Sequence, residues 1–236
     1  IASCLVGSEM CIRDSTEVAR RHGVTTAIDN TWSGGYFFQP IAHGVDISVQ
    51  AGTKYISGHS DLMLGTIACS AAIYDRLRET YLRFGVCVGS DDAYLALRGL
   101  RTIGVRMRHH HASGLQVANW LLEQPEVLRV MHPALPQDPG HALFRKYFTG
   151  ASGLFGFVMK SVEHDALARM FDGFSLFGMG SSWGGYESLI VPSNPSVYRS
   201  ATEWNPGGQT VRIHVGLEDP ADLIDELRKG LDRLRA

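Results

Sequence analysis

The chain has 236 residues, of which 44% are hydrophobic and 19% charged, a composition that supports a substantial buried core. Its formal net charge of −2 gives no electrostatic reason to expect binding to nucleic acid or to an anionic membrane, and no uninterrupted apolar stretch is long enough to span a bilayer. Four irregularly spaced cysteines argue against a disulfide scaffold and favour a reducing, cytoplasmic location.

The first fifteen residues differ in character from the rest of the chain. They lack a basic segment ahead of a continuous apolar core, so they do not have the pattern of a signal peptide. They resemble translated sequencing-adaptor strings, and we expect residues 1–15 to be a non-native leader. Residues 16–22 then have the pattern of a short helix end.

Two short apolar segments follow, and each ends near a polar residue of interest. Residues 24–28 and 45–49 are rich in β-branched side chains and bounded by turn residues, which predicts two buried strands of an α/β sheet. Asp29 ends the first segment and Lys54 lies in the turn after the second. Ligands of open α/β sheets bind at the carboxyl ends of strands. Taken singly, such residues are more often a helix or turn cap and a solvated lysine.

Lys54 and Asp29 are two of the parts that a pyridoxal-phosphate (PLP) site requires. A lysine can bind the cofactor aldehyde covalently, and an aspartate can keep the pyridine nitrogen protonated so that the ring accepts electrons. The neighbouring Thr53 offers a hydroxyl and a backbone N–H to a phosphate oxygen. The residues alone therefore make Lys54 a candidate catalytic and cofactor-binding lysine, with Asp29 and Thr53 as candidate cofactor ligands.

The remainder of the chain alternates between predicted helices and strands. Periodicity predicts helices over residues 71–83, 90–122, 163–171 and 220–235, and strands over residues 64–70, 127–131, 154–160 and 211–215. Met107 and Arg108 are expected on a solvated surface of the long helix. We expect no metal site at His109–His111, since consecutive helical side chains point in different directions and no cluster with ligand spacing accompanies them.

Arg212 lies in a segment with strict strand alternation. Val211, Ile213 and Val215 share one face, which places Arg212 and His214 on the other. A guanidinium is well suited to a substrate carboxylate because its planar fork can donate two parallel charged hydrogen bonds. The exposed face of an edge strand would give the same pattern.

Four motifs occur in a fixed order, and together they carry a family resemblance. They are Ala27–Trp32, Gln50–Tyr55 with Gly58–Asp61, Ser181–Leu189, and Thr210–Asp219. From about Thr16 to its end, the chain resembles the Cys/Met-metabolism PLP enzymes, the transsulfuration group of fold type I. Within that family, Trp32 and the pair Ser182 and Trp183 resemble the residues of bacterial cystathionine β-lyases.

The resemblance implies an architecture and further site residues. It implies an α/β fold in which residues 16–100 form the carboxy-terminal part of a large, mixed or parallel PLP-binding sheet domain. Residues 101–236 would form a linking helix and a smaller α+β domain. It implies PLP as the cofactor, a small amino-acid substrate bound by Arg212, Ser182 and Trp183, and a homotetramer in the full-length protein.

The resemblance also leaves three hypotheses for function. The first is a carbon–sulfur β-lyase that cleaves L-cystathionine, the second a γ-acting sibling such as a γ-lyase or γ-synthase, and the third a regulatory or inactive PLP-binding fragment. Segments that precede the first motif in the family are not present, so we expect an amino-terminally truncated chain that is inactive by itself.

Overall fold

The computed structural model describes residues 12–200 and 202–235, which form seven α-helices and seven strands. The helices are α1 (Ile12–Arg21), α2 (Tyr74–Phe84), α3 (Ser90–Leu100), α4 (Ile103–Leu122), α5 (His141–Tyr147), α6 (His164–Asp172) and α7 (Pro220–Arg233). The strands are β1 (Ala27–Asp29), β2 (Ile47–Ala51), β3 (Gly65–Cys69), β4 (Val127–Met131), β5 (Leu154–Lys160), β6 (Leu189–Ser193) and β7 (Gly208–His214). None of the helices in this part of the chain has the length and apolar character needed to cross a membrane.

The predicted leader falls mostly outside the described residues, which begin at residue 12. Helix α1 starts at Ile12, four residues before the predicted boundary at residue 16. The Ile12 side chain is buried in a small apolar cluster with Phe38 and Val45. The non-native origin of residues 1–15 stays a prediction.

The first sheet is small and mixed. Its strand order is β1-β2-β3, with β1 parallel to β2 and β2 antiparallel to β3. The strands predicted over residues 24–28 and 45–49 form two to three residues later, and the expectation that both are fully buried is wrong. Asp29 and Ala27 are exposed, and Val49 is 37% exposed, because the described residues cover little of this sheet's surface.

The second sheet is antiparallel and carries the main core. Its order is β4-β5-β7-β6, so β7 is a central strand with partners on both sides. Helices α4 and α7 pack on this sheet through apolar stripes. The core includes Val117, Leu121, Phe155, Phe157, Val211, Ile213, Leu223 and Leu227. A mixed sheet followed by an antiparallel α+β unit agrees with the predicted fold class.

The helix predicted over residues 90–122 is two helices. Helix α3 ends at Leu100 and α4 starts at Ile103, with Thr102 outside the helical region at φ −109° and ψ 1°. Gly99 lies so close to the chain after Lys54 that an added Cβ would be 2.3 Å from the Ile56 carbonyl oxygen. This close approach brings the junction between α3 and α4 onto the turn that carries Lys54.

Helix α4 is also less exposed than expected. Met107 is fully buried, so its predicted place on a solvated surface is wrong, whereas Arg108 is exposed. The buried positions of α4 recur every three or four residues, as on any helix with one face against a core. They are Arg106, Met107, His110, Ser113, Gly114, Val117, Ala118 and Leu121.

Two elements were not predicted. Helix α5 starts at His141, directly after the Gly140 N-cap. Strand β6 contains Pro192, a residue that argues against a strand except at an edge, and β6 is an edge strand.

Candidate active site

Lys54 lies three residues beyond β2, in a turn whose backbone is held by its own hydrogen bonds. The Lys54 N–H donates to the Ala51 carbonyl at 3.0 Å, and the Lys54 carbonyl accepts from the Gly58 N–H at 2.8 Å. The side chain is half-buried, and its Nζ donates to Ser182 Oγ at 2.7 Å. Burial, and next the positive charge of Arg212, lower the pKa of Lys54 from 10.5.

Asp29 is the last residue of β1, and Lys54 follows β2. Because β1 and β2 are parallel, both residues lie at the same edge of the sheet. Its Oδ1 accepts hydrogen bonds from the Thr31 N–H at 2.9 Å and from Thr31 Oγ1 at 2.5 Å. Thr31 Oγ1 in turn accepts from the Ala51 N–H at 2.8 Å. Asp29 is therefore connected to the end of β2 through one threonine, while Oδ2 has no partner among the described residues.

Thr53 precedes Lys54, and its hydroxyl is hydrogen-bonded to Leu64, the residue directly before β3. Thr53 Oγ1 accepts from the Leu64 N–H at 3.0 Å, and the Thr53 N–H donates to the Leu64 carbonyl at 3.1 Å. The predicted phosphate contact from this N–H and hydroxyl would have to replace or share these bonds. Its role as a cofactor ligand stays a prediction.

The segment of residues 180–185, which we call the substrate loop, lies against Lys54. Gly184 has φ +85°, and an added Cβ would lie 3.0 Å from the Lys54 Cβ, so a side chain at this position meets both backbone strain and a steric contact. Trp183 is buried, and the Lys54 Nζ lies 5.4 Å from the centroid of its ring. The indole Nε1 of Trp183 is buried without a hydrogen-bond partner in the described part of the chain.

Arg212 lies on the central strand β7 and is half-buried. Its Nη2 donates a long hydrogen bond, 3.4 Å, to the Gly180 carbonyl at the start of the substrate loop. No carboxylate of the described residues forms an ion pair with it, so its guanidinium retains donors for an anionic ligand. Burial lowers the pKa of Arg212.

The structure thus brings together four of the six predicted site residues. Lys54, Ser182 and Trp183 are in contact, and Arg212 is close enough for its charge to act on Lys54. Asp29 and Thr53 lie at the same sheet edge without a direct side-chain contact to Lys54. The indole of Trp32 donates to the Leu154 carbonyl at 2.9 Å, which attaches the segment after β1 to the second sheet.

Two residues near the site were not predicted from the sequence to belong to it. Arg106 is buried, and its guanidinium donates to the carbonyls of Tyr55, Ile56 and Gly99, at 2.7, 3.2 and 2.7 Å respectively. It therefore binds the chain directly after Lys54 to the junction of α3 and α4. The sequence could have indicated that Arg106 is buried, because Arg106 shares the three-and-four spacing of the apolar stripe of α4.

His214 is the second missed residue. Its pairing with Arg212 on one strand face was predicted, and the structure shows that the side chain is buried. Strand alternation gives the face of a residue and not what covers that face. Here the substrate loop and His110 of α4 cover it.

The histidines of α4 have separate contacts. His109 contacts Ser113 of the same helix, His110 donates from Nδ1 to the Val215 carbonyl at 2.9 Å, and His111 accepts from the Ala151 N–H at 3.1 Å. Among the described residues, no group of three or more histidine, cysteine or carboxylate side chains has an arrangement that could hold a metal ion.

The residues at the sheet edge fit PLP in chemistry. A half-buried lysine with a lowered pKa can bind an aldehyde, and an unpaired carboxylate oxygen of Asp29 can bind a protonated ring nitrogen. The unpartnered indole N–H of Trp183 is a donor that a polar ligand would satisfy.

Comparison with known proteins decides the family. The sequence profile described as Cys/Met metabolism PLP-dependent enzyme matches residues 7–232. The chain belongs to this family. PLP is accordingly its cofactor, and the match includes part of the stretch predicted to be a leader.

Individual relatives are consistent with the family. A cystathionine beta-lyase of Escherichia coli (strain K12) is 49% identical over 88% of this chain and 53% of its own length. An L-alanine/L-glutamate racemase of Wolbachia pipientis wMel is 42% identical over 94% of this chain and 56% of its own length. The chain spans about half the length of the curated relatives it matches.

A solved structure has the same fold. The cystathionine gamma synthase from Xanthomonas oryzae pv. oryzae, in complex with aminoacrylate and cysteine, superposes with a TM-score of 0.86 at 31% sequence identity. The superposition covers 95% of this chain and 59% of that one. The predicted PLP-enzyme fold is therefore confirmed.

Proposed function

We propose that the whole protein containing this chain is a PLP-dependent carbon–sulfur β-lyase that cleaves L-cystathionine. The products are homocysteine, pyruvate and ammonia, with one water consumed. The contact between Lys54 Nζ and Ser182 Oγ carries the proposal, because it joins the cofactor lysine to the substrate loop. The identity of 49% to a cystathionine beta-lyase, against 31% to a γ-synthase, favours β-elimination over γ-chemistry.

Each residue of the site has a role in this proposal. Arg212 binds the α-carboxylate of the substrate, since its fork has free donors and its charge is not neutralised by an ion pair among the described residues. Lys54 binds the cofactor aldehyde and, as the free amine, accepts the proton from the substrate Cα. Its lowered pKa favours the neutral form that a base requires.

Three further residues position the reacting groups. Ser182 Oγ accepts a hydrogen bond from Lys54 Nζ and so fixes its direction. Trp183 provides an apolar wall beside Lys54, and Thr53 is the proposed phosphate contact. Asp29 would hold the pyridine nitrogen protonated, and PLP when bound supplies an electron sink for the charge left at Cα.

The domain division and the cellular setting are part of the same proposal. Residues 16–100 would belong to the large cofactor-binding domain, and residues 101–236 to the linking helix and small domain.

We place the protein in the cytoplasm as a homotetramer, a state that sedimentation equilibrium of the full-length protein tests. Exposed apolar side chains on β3 and α2, including Ile67, Leu82 and Phe84, support burial of this surface in the whole protein.

The test is the identity of the product formed by protein expressed from the complete gene. With PLP and L-cystathionine, we expect equimolar pyruvate and homocysteine. α-Ketobutyrate as the sole keto acid would assign the protein to the γ-lyases and contradict the proposal. A protein that forms no keto acid but racemises L-alanine or L-glutamate would also contradict it, and would follow the similarity to the Wolbachia racemase.

A further inference from the structure

Strand β7 holds the substrate loop at two points. Arg212 Nη2 donates to the Gly180 carbonyl at 3.4 Å, and His214 Nε2 accepts from the Gly184 N–H at 3.1 Å. Residues two apart on a strand project from the same face. The two contacts therefore bind the loop on either side of Ser182 and Trp183.

The tautomer of His214 follows from its partner. A backbone N–H can only donate, so the contact with Gly184 requires an unprotonated Nε2 and places the imidazole proton on Nδ1. The Gly185 carbonyl lies 3.3 Å from the same nitrogen, but an unprotonated nitrogen cannot donate to it. Burial, and next the neighbouring His110, lower the pKa of His214 to about 3, so the ring is neutral at ordinary pH.

The position of Gly184 bears directly on Lys54. Its Cα approaches Lys54 so closely that an added Cβ would lie 3.0 Å from the lysine Cβ. Two residues earlier, Ser182 Oγ accepts the hydrogen bond from Lys54 Nζ. A displacement of the Gly184 backbone would therefore change both the packing around Lys54 and the partner of its amine.

The His214 ring is buried against His110, and its Nδ1 has no hydrogen-bond partner among the described residues. His110 of α4 donates from Nδ1 to the Val215 carbonyl at 2.9 Å, and the rings of His110 and His214 are 5.3 Å apart. The cationic groups whose charge acts on His214 are Arg212 and Lys54. The end of β7 is thus anchored to α4 on one side and to the substrate loop on the other.

We propose that His214 is a positioning residue for the amine of Lys54, and that it acts by accepting a hydrogen bond from the Gly184 N–H. Through this bond it keeps Ser182 on Lys54 Nζ and Trp183 beside it. The inference rests on the proposed function only for its kinetic consequence, since the effect on Lys54 is a property of the protein without substrate.

Two substitutions of His214 test its role as a hydrogen-bond acceptor separately from the volume of its side chain. In His214→Gln the amide oxygen can reach the position of Nε2, whereas in His214→Asn the same amide is one methylene shorter. His164→Asn, at a fully solvated histidine, is the surface control. The full-length protein is freed of cofactor, and the pKa of Lys54 is obtained from the pH dependence of its labelling by an amine-reactive reagent, read by mass spectrometry. Values of kcat and KM for L-cystathionine are measured on the PLP-loaded variants.

For His214→Asn we expect the pKa of Lys54 to rise towards 10.5, because the loosened loop hydrates the amine. We also expect kcat/KM to fall about tenfold, the effect of one lost buried hydrogen bond. His214→Gln and His164→Asn should keep the wild-type pKa of Lys54 and a kcat/KM within about threefold of wild type.

Two results would overturn the proposal. One is a folded His214→Asn protein with an unchanged pKa of Lys54, which would leave His214 as core packing only. The other is a His214→Gln protein in which the pKa of Lys54 is raised, and this second result decides the matter even where His214→Asn does not fold. Because labelling needs no reaction, a wrong assignment of the lyase activity would leave the Lys54 result intact.

Discussion

At the scale of single residues, two separate causes lower the pKa of Lys54. Burial is the larger cause of its lowered pKa, and the positive charge of Arg212 is the smaller. Both act in the same direction, since each disfavours a second positive charge. A lowered pKa means that more of the amine is neutral at a given pH, which is the form that binds an aldehyde or accepts a proton.

Substitution of Arg212 tests this division. In Arg212→Met the repulsive charge is removed, so the pKa of Lys54 should rise. It should remain below 10.5 because burial, the larger cause, is retained. The same labelling of Lys54 in cofactor-free protein measures the change.

Arg129→Met is the matched control for this substitution. Arg129 is an exposed arginine of β4 that lies over the ring of Trp204 and has no part in the shift of Lys54. It should leave the pKa of Lys54 unchanged. An unchanged or lower pKa of Lys54 in Arg212→Met would contradict the assigned role of the guanidinium.

The residue scale is also where the sequence was most informative. Lys54, Ser182, Trp183 and Arg212 were predicted from motifs, and the structure places the first three in contact across 128 residues of chain. The motifs gave no distances between side chains, so the sequence did not indicate that Ser182 would accept a hydrogen bond from Lys54. The spacing of Arg106 placed it on the buried stripe of α4, but it did not identify its partners, because two of the three carbonyls it binds lie about 50 residues away in the chain.

At the scale of secondary-structure elements, the key feature is the contact of the turn after β2 with the junction of α3 and α4. Arg106 donates to three backbone carbonyls and, from Nε, to Thr102 Oγ1. A lysine in its place would present a single ammonium in place of a planar fork. The turn carrying Lys54 should therefore depend on the arginine and not on positive charge alone.

Arg106→Lys tests this dependence. We expect a loss of about 2–4 kcal/mol in the free energy of unfolding, because buried carbonyls lose their donors. We also expect faster proteolysis between residues 52 and 58 in cofactor-free protein. Urea denaturation and limited proteolysis followed by mass spectrometry measure the two effects.

Arg108→Lys provides the comparison on the same helix. Arg108 is exposed and donates to the Tyr36 hydroxyl, so its replacement should change stability by less than about 0.5 kcal/mol. Equal effects of the two substitutions would show that the buried contacts of Arg106 do not stabilise the turn.

The break between α3 and α4 shows what helical periodicity leaves out. Residues 101–102 contain no proline, and Gly99 and Gly104 on either side of them were not interpreted as the end of a helix. Helix α3 ends one residue after Gly99, which lies against the carbonyls of Ile56 and Ser57 in a tertiary contact. Element identity was therefore predictable for most of the chain, while this boundary depended on packing.

At the scale of the whole molecule, one apolar cluster joins the two sheets beneath the site. Phe37 and Tyr55 come from the first part of the chain, Met107 from α4, and Leu154 and Trp183 from the second part. The family resemblance implied two structural units, but it did not indicate which side chains would lie between them. The cluster includes Tyr55, the residue after Lys54, and Trp183 of the substrate loop, so it is continuous with both.

The central claim is that Lys54 is the residue that binds PLP covalently, and it can be tested directly. This chain contains four lysines, of which Lys54 is half-buried and Lys146, Lys160 and Lys229 are exposed. Purified full-length protein loaded with PLP is reduced with borohydride, digested, and mapped by mass spectrometry. We predict a stable phosphopyridoxyl group on the peptide containing Lys54 and loss of that label in Lys54→Arg. A label on any other lysine, with the Lys54 peptide unmodified, would contradict the account.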